Sequence, residues 1–129
     1  MGKRGRARHG RRQACSALWV LEPALLLLLH HGPAHGYVLQ KQLKRYSLEN
    51  PDRSVVYRAL RDMQEKRWVT STWDEEQTRG PPRRVYRLTA LGDEVLARHT
   101  QDLQRARGMI DRLLVAYRRH MQDGEGDYH

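Results

Sequence analysis

A chain of 129 residues is long enough for one domain with a modest core and too short for two independent globular units. Its 24 lysines and arginines outweigh 15 aspartates and glutamates, giving a formal charge of +9. A single cysteine, Cys15, excludes a disulfide framework or a cysteine-rich zinc site within one chain and fits a reducing, cytoplasmic setting.

The charge is uneven. Residues 1–20 carry +6, residues 21–88 carry +4 and residues 89–129 carry −1. Such an asymmetry suits a polyanion facing the N-terminal and central parts of the chain, with affinity supplied by counterion release from phosphates. A solubilising cationic surface is the blander account.

Residues 1–16 are rich in Gly and Arg and have no apolar period, so a disordered basic arm is expected there. The apolar stretch over 17–29 follows Arg11-Arg12 and imitates a secretory signal. Glu22 and Pro23 interrupt it, and what remains is shorter than the roughly 20 residues of a membrane span. Its Leu run enters the Gly32-Pro33 corner as a buried first helix would, with Pro23 tolerated in the first turn.

A second helix is expected from His35, with Tyr37, Val38, Leu39, Leu43 and Tyr46 as its apolar set. After the turn formers of 47–51, Asp52 is a good N-cap for a third helix running to about Lys66. Val56, Leu60 and Met63 fall at i, i+4 and i+7 and form its buried stripe. At about 100° per residue, Ser54, Val55, Arg58, Arg61 and Asp62 point the other way, with Tyr57 on the border.

Residues 68–73 and 84–88 are rich in β-branched and aromatic side chains, as strands are. Between them Gly80-Pro81-Pro82 cannot pair as a central strand and makes a hairpin tip. Thr89 then caps a long helix to about Gln122. Along it Leu96, Leu103, Ile110 and Tyr117 recur every seven residues, interleaved with His99, Ala106 and Leu113. That seam suits pairing with a second copy, although Gly108 and His99 weaken it and a helix folded back on its own domain is the alternative.

Three helices followed by a hairpin read as a winged helix-turn-helix, so the fold class is mainly α with a small β-hairpin plus a long C-terminal dimerisation helix. The expected boundaries are 1–16 (arm), 17–88 (winged domain), 89–122 (helix) and 123–129 (tail).

Sequence readout in duplex DNA needs a helix that fits the major groove and side chains that reach base edges and phosphates. Arg58 and Arg61 suit guanine or phosphate, Ser54 donates near the helix start, and Val55 suits a thymine methyl. On the hairpin, Arg79, Arg83 and Arg84 suit a sugar-phosphate ridge or the minor groove. Arg4, Arg6, Arg8, Arg11 and Arg12 suit either a minor-groove arm or a flexible nonspecific anchor.

His30, His31 and His35 lack the cysteine or carboxylate that would complete a ligand set, so neither metal nor cofactor is expected. No P-loop, dinucleotide fingerprint or catalytic grouping occurs, which argues against an enzyme.

The strings G-P-A-H-G-Y (32–37), S-V-V-Y-R-A-L-R-D-M (54–63) and G-P-P-R-R-V-Y-R-L-T-A-L-G (80–92) resemble the PadR family of transcriptional regulators, in its small form with one C-terminal helix. The resemblance covers about residues 22–120. It implies a homodimeric repressor on a palindromic operator in double-stranded DNA. The family's elements carry over as His35, Gly36 and Tyr37, then Tyr57 and Leu60, then Gly80, Pro81, Arg83, Tyr86 and Leu88. Tyr57 is expected near phosphate, with Arg83 or Arg84 alongside, and Tyr37 is expected among the DNA-binding residues.

The 54–63 string looks closer to the branch of polyhydroxybutyrate-responsive repressors than to the phenolic-acid-sensing branch. Some small members hold flat lipophilic ligands between their C-terminal helices, which would put Met109, Leu113, Tyr117 or Trp19 near an effector. Two departures stand out: Arg67 replaces the usual Gly at the turn into the first strand, and Arg53 and Val55 replace small residues before Tyr57. Two rival functions remain, a nonspecific nucleic-acid architectural protein and a winged-helix protein-interaction adaptor.

Overall fold

The computed structural model describes residues 19–46, 52–74, 80 and 83–124. The expected arm over 1–16, the loop 47–51, Arg79 and the Pro81-Pro82 tip lie outside the described residues. The chain divides into two compact units, Met1–Leu96 and Ala97–His129. Among the described residues no helix is long and apolar enough to cross a membrane.

The first helix, α1, is helical through residues 19–31. Its Leu21, Leu25, Leu26, Leu28 and Leu29 are buried while Leu27 is exposed, so the Leu run is covered on most sides, as expected. Burial of each of the five stabilises the fold by about 2 kcal/mol. The Gly32 N–H donates to the Leu29 carbonyl at 3.1 Å, and Pro33 ends the helix.

The chain then forms a strand the sequence did not announce. Ala34–His35 (β1) pairs antiparallel with the last strand through Ala34↔Tyr86 and His35↔Val85, so the expected hairpin is one side of a three-stranded sheet. The helix α2 follows over Gly36–Gln42, continued by a 3-10 turn over Leu43–Tyr46. His35 occupies its N-cap position, but the side chain makes no capping bond.

Asp52 caps α3 (Arg53–Glu65) as expected, accepting from the Ser54 N–H at 3.2 Å. Val56, Ala59, Leu60 and Met63 form its buried face, while Val55 is half-buried against the same core. Val55 therefore belongs in part to packing rather than wholly to the outward face.

The end of α3 is a Schellman turn. Trp68 N–H donates to the Met63 carbonyl at 2.9 Å and Arg67 N–H to that of Gln64 at 3.0 Å. This geometry puts Arg67 at φ 64°, a left-handed conformation in which a Cβ crowds the following carbonyl. Arg67→Gly relieves that strain, so it is expected to stabilise the protein by about 1 kcal/mol, net of glycine's extra freedom when unfolded. In a thermal melt the midpoint rises by about 5 °C.

The two longer strands are Val69–Trp73 (β2) and Arg84–Leu88 (β3), in register from Val69↔Leu88 to Trp73↔Arg84. Asp74 N–H extends the ladder to the Arg83 carbonyl at 2.8 Å, and Gly80 bends the wing at φ 75°.

Thr89 opens the last helix, α4 (Ala90–Asp123). Its hydroxyl oxygen accepts from the Gly92 N–H at 2.9 Å. Its proton is directed at the Arg67 carbonyl at 2.7 Å, with the Trp68 carbonyl at 3.0 Å. The first turn of α4 is thereby clamped to the turn that ends α3. Val95 is buried and Leu96 half-buried against the first unit's core. Leu96, expected to open the dimer seam, thus also packs in part within the winged domain.

Candidate nucleic-acid interface

Three rows of side chains meet in one open cleft of the first unit. From α2 and the turn after it come Tyr37, Lys41 and Lys44, at i, i+4 and i+7. From α3 come Arg53, Tyr57, Arg61, Gln64 and Glu65, again at helical spacing, and from the strands Trp73, Arg83, Arg84 and Tyr86. Six cations therefore face a single carboxylate among the lining residues. Among the described residues none of these six belongs to an ion pair. A solvated face laced with compensating charges would look different.

Aromatic rings hold several of these cations in place. The Arg83 guanidinium lies 4.6 Å from the centre of the Tyr37 ring, and Arg84 lies 4.4 Å from that of Trp73. Arg53 sits 5.6 Å from Tyr57 and Lys41 5.7 Å from Tyr37. Tyr57 packs against α2 at Gly36, where an added Cβ would come within 2.7 Å of the ring. His35 stacks on Tyr37 and its Nε2 lies 3.0 Å from Asp74 Oδ2, joining the start of α2 to the root of the wing. Beneath them Tyr86 is 6% exposed, and burial raises its phenol above the ordinary pKa against the opposing pull of the Arg84 charge.

Of the residues expected to meet DNA, Tyr37, Tyr57, Arg61, Arg83 and Arg84 come together in this cleft. Ser54 and Arg58 are exposed but do not line it, Arg58 standing about 60° round α3 from Arg61. Arg79 lies outside the described residues. The sequence reading missed Lys41, Lys44 and Arg53 as site residues. Their signal was present in the row they share with Tyr37 or Tyr57.

On the second unit, Leu103 and Ala106 are half-buried, whereas Ile110, Leu113 and Tyr117 are 44%, 70% and 62% exposed. Met109, Leu114 and Met121 add to the exposed apolar surface of α4. Among the described residues no three His, Cys, Asp or Glu side chains gather to hold a metal ion.

Comparison with known proteins gives this arrangement relatives. The Transcriptional regulator PadR-like family matches residues 25–98. A candidate transcriptional regulator from Thermoplasma acidophilum aligns at 32% identity over 74% of this chain and 91% of its own, with a TM-score of 0.67. A PadR family transcription regulator from Clostridium difficile aligns at 26% identity over 73% of this chain and 97% of its own, with a TM-score of 0.64. The circadian clock associated protein Pex from Anabaena aligns at 28% identity over 70% and 82%, with a TM-score of 0.54. No curated protein sequence matches. With the family match spanning more than half its length and these folds superposing on its winged helix, the chain belongs to the PadR-like family of transcriptional regulators.

Proposed function

We propose that this protein is a non-catalytic, cytoplasmic repressor that binds a palindromic operator as a homodimer, one winged domain on each half-site. The observation that carries the reading is the cleft with six uncompensated cations and one carboxylate, walled by a helix of groove-fitting size and by the root of the wing. In this arrangement α3 enters the major groove. Arg61, Arg53, Lys41 and the wing arginines meet phosphates, and Ser54 and Arg58, further out on α3, reach base edges. Dimerisation runs through the exposed Ile110, Leu113 and Tyr117 of α4, about 50 Å long at 1.5 Å per residue. A flat lipophilic effector, where one acts, meets the same apolar surface around Met109.

Selection of bound fragments from a genomic DNA pool, followed by gel shifts at fixed salt, tests this reading. The selected sequence is expected to be an inverted repeat with half-sites about one helical turn apart. Arg61→Ala is expected to weaken binding to selected and unrelated duplexes alike. Arg58→Ala costs about tenfold or more on the selected site and much less on unrelated DNA. Equal affinity of the parent protein for both kinds of duplex would favour the architectural reading. Unchanged affinity in both variants removes the recognition-helix assignment.

A further inference from the structure

Among the described residues Arg84 is the one cleft cation linked by a chain of side-chain hydrogen bonds to two structural elements. Its Nη1 donates to Ser71 Oγ at 2.9 Å, and that hydroxyl donates in turn to Gln64 Oε1 at 2.9 Å. The donor count works: one hydroxyl proton goes to the amide oxygen, leaving a lone pair for the guanidinium. The strand register supplies the geometry. Trp73 lies opposite Arg84 and Ser71 opposite Tyr86, so Ser71, Trp73 and Arg84 share one sheet face beside the last turn of α3. The Trp73 ring, at 4.4 Å from the guanidinium, packs against it as well.

An arginine on a free strand end samples many rotamers and must be ordered when it grips an anion. Here it is ordered beforehand, with most of its five N–H donors still free of Ser71. The tether runs through Ser71 of β2 to Gln64 of the recognition helix. It therefore fixes where the wing's charge stands relative to the side chains that enter the groove.

We propose that Gln64 and Ser71 are positioning residues that set Arg84 as a pre-ordered phosphate clamp, keeping the wing in register with α3 on the duplex. The inference rests on the DNA-binding reading above. Its effect is on affinity through the backbone, so it is independent of operator sequence.

The test is a double-mutant cycle on the full chain with a mixed-sequence duplex of about two to three helical turns, titrated over a range of salt. Arg84→Ala is expected to reduce the salt slope by about one. Ser71→Ala is expected to weaken binding about threefold while leaving the slope unchanged. In the Arg84→Ala background, Ser71→Ala has no further effect, and Ser71→Thr, which keeps the hydroxyl, behaves as the parent. Gln64→Ala repeats the pattern from the helix side.

A threefold loss in both backgrounds, or a lower melting midpoint that accounts for it, overturns the positioning role. Failure of the parent protein to bind any duplex overturns the DNA-binding reading itself. Parent binding with an additive cycle removes only this inference.

Discussion

Gly92→Val is expected to lower the unfolding free energy by about 3 kcal/mol, with Gly92→Ala following it less severely. A Cβ at Gly92 would be driven into the backbone carbonyl of Trp68 and would lie 2.7 Å from Leu88 Cδ1. That carbonyl cannot move aside cheaply, because it accepts the Thr89 N–H at 3.1 Å and lies beside the Thr89 hydroxyl. The harder of the two collisions is with the Trp68 main chain, so it is relieved only by lifting the first turn of α4 off the sheet. Urea denaturation measures it: the midpoint falls while the slope with denaturant stays unchanged.

Gly108 is the contrasting control. A Cβ there meets only Arg112 Nη1 at 3.6 Å, so Gly108→Ala is expected to gain up to about 1 kcal/mol from helix propensity. Destabilisation by both substitutions would show that helix packing, not the local collision at Gly92, governs the loss.

The second large effect is expected in assembly. Leu113→Glu with Tyr117→Glu places like charges on both faces of the proposed dimer seam, and the protein is expected to sediment as a monomer. These two sites suit the purpose because both are among the most exposed apolar residues of α4, at 70% and 62%, so their replacement costs the isolated chain little. Two linked half-sites bind far more tightly than one, so affinity for an inverted repeat is expected to drop about 100-fold or more. Affinity for a single half-site changes little. A dimer that persists at low concentration, with the helix still formed by circular dichroism, would exclude this seam.

The parts of the fold legible in the sequence are those with a period or a cap. The Leu run of α1, the Val56, Leu60 and Met63 stripe of α3 and the Thr89 cap of α4 each carry their own signal. β1 carried none, since two residues have no period and its partner β3 lies about fifty residues on. Arg67 was legible as a departure from the resembled family, and its φ of 64° gives that departure its physical meaning.

The heptad spacing runs unbroken through Leu96, where the helix still packs in part on its own core. It takes the packing around Val95 to see where one use of the helix ends. The cleft suffered from the opposite omission. Lys41, Lys44 and Arg53 look like ordinary solvated charges on their own helices, and only the approach of α2, α3 and the wing makes them one field.

The Thr89 hydroxyl, seated on the last carbonyls after α3, couples two helices that the sequence separates by an entire hairpin. The contact joins them as a shaft to its crank, so a twist imposed on the opening turn of α4 is expected to reach the tail of α3. The helix proposed to enter the groove is thus braced by the element that follows the wing.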